Sequence, residues 1–180
     1  MFKETSMIRG IVTATVYGPD GKIKERERGI IRKILGLPAE LMISVNHNIV
    51  TTIGDRLIAD AISFTHARHY VDGTTGQMQV GTGFISAGKG SVGLTTPTGT
   101  AQTLDATYPK LKAVWGNADA SHVLYQVLFA AGSLNANGIN EAVLVNDQAD
   151  ALAYAEITPA VNCTLVDSLQ ISWELIFLGA

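Results

Sequence analysis

The chain has 180 residues, 47% of them hydrophobic and 16% charged, with a single cysteine and a formal net charge of −3. Its length suits one domain that needs no disulfide or metal to hold its core, and the lone Cys163 excludes an internal disulfide and a cysteine-based zinc site. No apolar run approaches the ~20 residues of a membrane helix and the charged share lies below the usual level of about 25%. We therefore expect a chain without a membrane segment that hides surface in contacts between subunits.

Charge is distributed unevenly along the chain. Met1–Gly36 carries eight Lys or Arg against four Asp or Glu, a net charge of +4, and the remainder carries five against twelve, a net charge of −7. A basic arm on an acidic body is compatible with nucleic-acid binding. The sign alternates along Lys22–Arg28, however, which indicates a solvated strand face. We expect an acidic partner surface, such as the body of a neighbouring copy, rather than nucleic acid.

The first predicted element is a β-hairpin. Ile8–Tyr17 is rich in β-branched residues with apolar side chains at period two. Gly18–Gly21 supplies turn residues, and Lys22–Ile31 can return as a second strand. We expect an N-terminal hairpin arm and connector over 1–41, extending from a β-rich body over 42–180.

One amphipathic helix is predicted over about 51–63. Thr51 or Thr52 can cap its free amides, and Asp55 in the first turn suits the helix dipole. A single apolar stripe recurs at helical spacing along Val50, Ile53, Leu57, Ile58, Ala61 and Ile62.

The pattern after Tyr70 predicts β-strands. We expect them at Gln77–Val80, Lys110–Trp115, Ser121–Ala130, Gly138–Val145, Ala151–Ile157 and Ser168–Leu178. Trp173 belongs to the apolar face of the last strand and should anchor the core. Strands at this spacing, with turn residues between them, predict a mainly β chain that folds as an antiparallel β-sandwich or barrel-like domain.

Gly81–Thr103 is dominated by Gly, Thr, Ser and Ala, which predicts a long loop or arm that a neighbouring subunit orders. Within it, Gly83–Lys89 fits the G-x-x-x-x-G-K pattern of phosphate-binding loops. Gly90 stands where Ser or Thr would bind Mg²⁺, and Gly93 and Pro97 oppose the helix that such a loop requires. We expect no nucleotide site there.

Other candidate chemistry has simpler explanations. His66 and His69 lie near Asp60 and Asp72, but no third metal ligand follows at a recognised spacing, so a surface histidine pair is favoured. Cys163 stands between apolar residues and should be a buried, inert thiol.

The acidic and aromatic residues also suggest no active site. Glu141, Glu156 and Glu174 fall in different strands, and the sequence places no two of them face to face for glycosidase chemistry. The larger aromatic residues are predicted to belong to the core rather than to a stacking platform: Trp115, Tyr125, Phe129, Tyr154 and Trp173. We expect no enzyme, no catalytic residues, no cofactor and no metal.

The order of several short motifs resembles that of a group of small structural proteins of tailed bacteriophages, described as head decoration (cement) or tail-fibre-like proteins. The motifs are Asn48–Thr51 with Gly54, Val80–Gly83, Phe129–Gly132, Ile139–Ala142 and Leu169–Leu175, and the resemblance covers roughly Asn46–Leu178. Ala142 stands where an aromatic often follows the glutamate, and Lys110 and Lys112 stand where an arginine often follows the loop. The resemblance implies no catalytic residues and binding to capsid or tail neighbours in many copies.

We therefore expect a virion structural protein that decorates or cements a phage capsid. It would be made in the bacterial host cytoplasm, since Met1–Gly10 shows no secretory signal. Its partners would be copies of itself, as a homo-oligomer, and the major capsid protein or a tail subunit. The alternatives are a tail or fibre-attachment protein and, in another class, a carbohydrate-binding β-sandwich, which exposed coplanar aromatics would favour.

Overall fold

A computed structural model of the chain describes residues 8–26, 34–35, 38–64, 68–112 and 122–177. The helix α1 spans Thr52–Ser63. The strands are β1 (Ile8–Tyr17), β2 (Ile43–Val50), β3 (Gln77–Gly81), β4 (Pro97–Thr103), β5 (Lys110–Lys112), β6 (His122–Phe129), β7 (Ala136–Val145), β8 (Ala151–Cys163) and β9 (Ser168–Phe177). The prediction of a mainly β chain with an amphipathic helix is confirmed.

The strands form one antiparallel sheet in the order β4-β3-β7-β8-β2-β1-β9-β6-β5, curled into a half-barrel. In the central strands, alternate side chains lie on its concave face. In β9, Ile171, Trp173 and Leu175 are at most 1% exposed, while Ser172 and Glu174 between them are half-buried. The prediction that Trp173 anchors the core is therefore confirmed.

Asp105 links the two ends of the curled sheet. It follows β4, and its backbone N–H donates to the carbonyl oxygen of Gln126 in β6 at 2.9 Å. Its carboxylate accepts hydrogen bonds from the Leu128 amide at 3.0 Å and from the Gln126 side chain at 3.1 Å. β5 pairs only with the first residues of β6. Asp105 therefore forms hydrogen bonds with the part of β6 that β5 does not pair.

The first strand is a central strand of the sheet. β1 pairs with β2 on one side and with β9 along its whole length on the other. Val12, Ala14 and Val16 are at most 1% exposed, so the period-two pattern that predicted a strand also buries it. The expectation of an arm over 1–41 outside the body is corrected accordingly, because β1 shares one sheet with the later strands.

The predicted turn after β1 is present, but the predicted return strand is not continuous. The Gly18 amide donates to the Lys22 carbonyl at 2.9 Å, and Gly21 adopts a φ of 73°, which glycine accommodates without strain. In the described residues beyond the turn, up to Arg26, strand pairing is limited to isolated bridges at Ile23 and Glu25.

Two basic side chains fasten this segment, residues 18–26, to the body. Lys24 Nζ lies 2.5 Å from the carboxylate of Asp167, which is 2% exposed. The Arg26 guanidinium donates to the carbonyl oxygens of Pro159 at 3.1 Å and Ala160 at 2.7 Å. The expectation of a solvated face along Lys22–Arg28 is therefore corrected at these two side chains. Arg26 contacts the backbone of β8, and Lys24 contacts Asp167 in the turn before β9.

Helix α1 forms where the sequence predicts it, close to β8. The Thr51 hydroxyl caps it by accepting from the Gly54 amide at 2.8 Å. A side chain at Gly54 would bring a Cβ within 2.0 Å of the Leu152 carbonyl oxygen, so glycine permits the close approach. Leu57 is buried, but Ile62 is 74% exposed. The apolar stripe is thus only partly covered by the described chain.

Two strands were not predicted. The sequence of β4, Pro97–Thr103, consists of small and polar residues, which favour the loop predicted there. In β2, Ser44, Asn46 and Asn48 pair with the inward-facing Ala14, Val12 and Gly10, so polar side chains face the concave side. Val45 and Ile49 alternate with these polar residues on the outward face, which reverses the usual burial pattern over most of the strand and conceals it.

Candidate functional site

The glycine loop, residues 82–96 between β3 and β4, is tied to the sheet by one buried carboxylate. Glu141 of β7 is 0% exposed. Its Oε1 accepts hydrogen bonds from the amides of Gly83 at 3.1 Å and Thr96 at 2.8 Å. Its Oε2 accepts from the Thr95 amide at 2.9 Å and the Tyr154 hydroxyl at 2.5 Å. One side chain therefore holds both ends of the loop.

These hydrogen bonds keep Glu141 ionised. Burial raises the pKa of its carboxyl, but the bonds from Tyr154 and the three loop amides outweigh burial, and the net pKa lies below the ordinary 4.5. A charged acceptor forms stronger hydrogen bonds than a neutral one. The pKa of Tyr154 is raised by burial and by its bond to Glu141, so the phenol stays a donor.

Apolar contacts add to this anchor. Phe84 stacks on Tyr154, with ring centroids 6.0 Å apart and an interplanar angle of 17°. Ala87 and Leu94 pack with Phe84 against a small cluster on the outer face of β7 and β8, formed by Val143, Val145, Ala151 and Tyr154. The expected loop over Gly81–Thr103 is thus divided in the structure into an anchored loop and the strand β4.

Lys89 of the glycine loop contacts the start of α1. Its Nζ lies 2.5 Å from the Asp55 carboxylate, and its carbonyl oxygen accepts a hydrogen bond from the Thr52 amide at 2.7 Å. No helix begins at Lys89, as expected from the glycines and proline that follow. The helix nearby begins at Thr52, with its first amides bonded to Lys89 and Thr51.

The loop also presents apolar side chains to solvent. Ile85 is 80% exposed and Val92 is 69% exposed. Because the ends of the loop are anchored, these side chains project from a positioned segment, which lowers the entropy lost when they bind a partner.

A second apolar surface lies beside the helix. We call it the apolar groove, and its volume is about 470 Å³. Ile58, Ala61 and Ile62 of α1 form one side, and Tyr125 and Phe177 belong to the other. Phe64, just after the helix, is 77% exposed. The groove is where the apolar stripe of α1 continues beyond the part buried on the sheet.

The predicted metal and thiol candidates lie apart from these surfaces. His66 is outside the described residues, and His69 Nδ1 lies 2.7 Å from Asp147 Oδ1. Among the described residues, no group of three or more His, Cys, Asp or Glu is placed to hold a metal ion. Cys163 is buried as predicted, and burial raises its thiol pKa to about 11.

The structure brings together two of the three glutamates. Glu141 and Glu156 are cross-strand partners in β7 and β8, whereas Glu174 lies 2.5 Å from His122. Sequence reasoning missed the anchoring role of Glu141. The available signal was an acidic residue at the start of an otherwise apolar run, Ala142–Val145.

Four of the five predicted core aromatics are buried, namely Tyr125, Phe129, Tyr154 and Trp173. Trp115 lies outside the described residues. Among the described helices, none is long and apolar enough to cross a membrane.

A comparison with protein-family models finds no match, and comparisons with curated proteins and with solved structures find none either. The resemblance to small structural proteins of tailed bacteriophages therefore stays a prediction from the sequence motifs.

Proposed function

We propose that this chain is a virion structural protein that decorates or cements a tailed-phage capsid, binding the shell in many copies. The observation that carries the proposal is the apolar groove beside α1. A helix stripe that continues past its own core, with Ile62 and Phe64 exposed, is the kind of surface that a neighbouring subunit covers.

The anchored glycine loop supports the same proposal. It holds Ile85 and Val92 away from the sheet, and the low charged share of the chain lowers the desolvation cost of contacts between subunits. Repetition of modest contacts over a lattice then yields high avidity without a deep pocket.

Fewer observations support the alternative functions. A tail or fibre-attachment protein would use the same surfaces with a different neighbour. A carbohydrate-binding module would use exposed aromatic side chains to stack on sugars. Four of the larger aromatic residues are buried instead: Tyr125, Phe129, Tyr154 and Trp173.

The test is a sedimentation assay with phage particles that lack the protein. Ile62→Asp places a charge in the groove, and because Ile62 is already exposed we expect normal folding with strongly reduced binding to the particle. Ala59→Asp is the matched control, since Ala59 is exposed on the same helix outside the groove lining.

Equal binding by both variants and the unmodified protein would contradict the role of the groove. The copy number per particle, measured by quantitative mass spectrometry, separates the two virion roles. A number on the scale of the shell lattice supports decoration, and a number on the scale of one tail supports the alternative.

A further inference from the structure

A cleft at one end of β1 and β2 gathers basic side chains. It has a volume of about 400 Å³ and is lined by Arg9, His47 and Lys89, with Ile8, Ile49 and Val50 as its apolar part. We call it the basic cleft. Arg9 and His47 follow the outward alternation of β1 and β2. Gly10 and Asn48, which pair on the concave side, also line the cleft, so it lies at the rim of the sheet.

Two of the three basic groups have no partner within the described residues. The Arg9 guanidinium and the His47 imidazole form no hydrogen bond or ion pair there, whereas Lys89 is paired with Asp55 at 2.5 Å. By contrast, Lys24 and Arg26 are bound to the body. Among the described basic residues of the N-terminal region, Arg9 in the cleft therefore stays available to another molecule. The chemical complement of the cleft is a carboxylate beside an apolar side chain.

The chain carries that complement at the other end of the same strand pair. Glu25 is exposed and has no ion pair within the described residues. It forms an isolated bridge with Leu41, which is 50% exposed. Glu25 and Leu41 follow the end of β1 at Tyr17 and precede the start of β2, whereas the cleft lies at the opposite ends of these strands. Since β1 has ten residues, the two surfaces are separated by about 33 Å at ~3.3 Å per residue.

We propose that copies of this chain associate head to tail, with Glu25 and Leu41 of one copy seated in the basic cleft of the next. Two different surfaces at opposite ends of one molecule form a heterologous contact, which builds rings or open arrays rather than a symmetric dimer. The inference rests on the proposed function only in taking the protein to act in many copies, and it names one contact between those copies.

The experiment uses sedimentation velocity on the full chain over a range of concentrations at low and high salt. We expect self-association that added salt weakens, because exposed charges are screened within about 10 Å at 0.1 M ionic strength. Arg9→Glu and Glu25→Arg each place like charges in the contact and should weaken association by about tenfold or more. Both residues are exposed, so the melting temperature should stay the same. Arg9→Gln is the milder variant to use if reversal disturbs folding.

Mixing the two reversed variants provides the decisive result. Each reversed charge then meets an opposite charge on the other variant, so association should return in the mixture. A protein that stays monomeric at all concentrations, or a mixture that stays dissociated, would overturn the head-to-tail contact. A monomer that still binds the particle through the apolar groove would leave the proposed function intact.

Discussion

The glycine loop and the segment over 18–26 are both held on the surface by charged side chains. The charged side chain belongs to the body in the first case and to the held segment in the second. For the loop, the anchor is Glu141 in the body, a buried acceptor beneath three loop amides and the Tyr154 hydroxyl. For the other segment, the anchors are Lys24 and Arg26 within the segment itself, which reach outward to Asp167 and to backbone carbonyls of β8.

This difference has consequences for stability. A single buried carboxylate with four donors concentrates the cost of its loss in one residue, because each donor left buried without a partner costs about 1–3 kcal/mol. The two cationic side chains of the other segment are half-buried and divide their contacts, so the loss of either leaves the other in place.

The largest expected effect is that of Glu141→Ala. We expect a loss of about 3–5 kcal/mol in the free energy of unfolding, since three amides and a hydroxyl lose their acceptor. Urea unfolding measures the loss, and hydrogen exchange should show increased exchange at residues 82–96. Glu156→Ala is the matched control on the facing strand, and its half-exposed side chain should matter by less than about 1 kcal/mol. Equal losses would mean that Glu141 is not the anchor.

Acid should weaken both anchors. The folded-state pKa of Glu141 lies below its ordinary 4.5 and that of Asp167 below its ordinary 3.8. Burial raises the pKa of each carboxyl, but the hydrogen bonds that each accepts lower it by more. The Lys24 charge also lowers the pKa of Asp167. Their stabilisation is therefore fully present above those ordinary values and is lost as the pH falls through the folded-state pKa.

Urea unfolding from neutral pH to about pH 2 checks this dependence. The Glu141→Gln variant lacks the titrating group, so its stability should fall less steeply on acidification than that of the unmodified protein. Parallel curves for the two proteins would show that Glu141 does not titrate differently in the folded and unfolded states.

Arg26→Met tests the opposite anchor. The methionine keeps much of the apolar stem but loses the hydrogen bonds to the Pro159 and Ala160 carbonyls, so we expect a loss of about 1–2 kcal/mol in unfolding free energy. Hydrogen exchange should rise at residues 18–26 and stay unchanged in the glycine loop. Lys22→Met is the control, since the Lys22 side chain is 84% exposed. A larger loss than that of Glu141→Ala would reverse the comparison.

Tyr154→Phe should have the smallest effect. It removes one of four donors to Glu141 and keeps the ring that stacks on Phe84, so we expect a loss of about 1 kcal/mol. Tyr125→Phe serves as the control, because the Tyr125 hydroxyl has no hydrogen-bond partner in the described chain. Thermal melting of the two variants side by side is sufficient. A Tyr154→Phe variant as stable as the unmodified protein would show that the hydroxyl adds nothing to the anchor.

Neither anchor was predicted, although the segments themselves were recognised. Glu141 lies 45 positions from Thr96, and Arg26 lies 134 positions from Ala160. A glycine-rich composition predicts a loop because it reports local backbone freedom, but it contains no information about an acceptor on another strand. The N-terminal residues were expected to form an arm for the same reason, since a strand pattern does not identify its partners.

The residues were sufficient to predict the mainly antiparallel β architecture, the helix near 51–63 and the burial of Trp173. Periodicity of burial is a local property that each strand and helix carries in its own residues. The position of β1 in the middle of the sheet, the inward-facing polar side chains of β2 and the incomplete covering of α1 depend on which strands become neighbours. Those outcomes follow from contacts between residues far apart in the chain, where many pairings satisfy the same local patterns and packing of the whole core selects one.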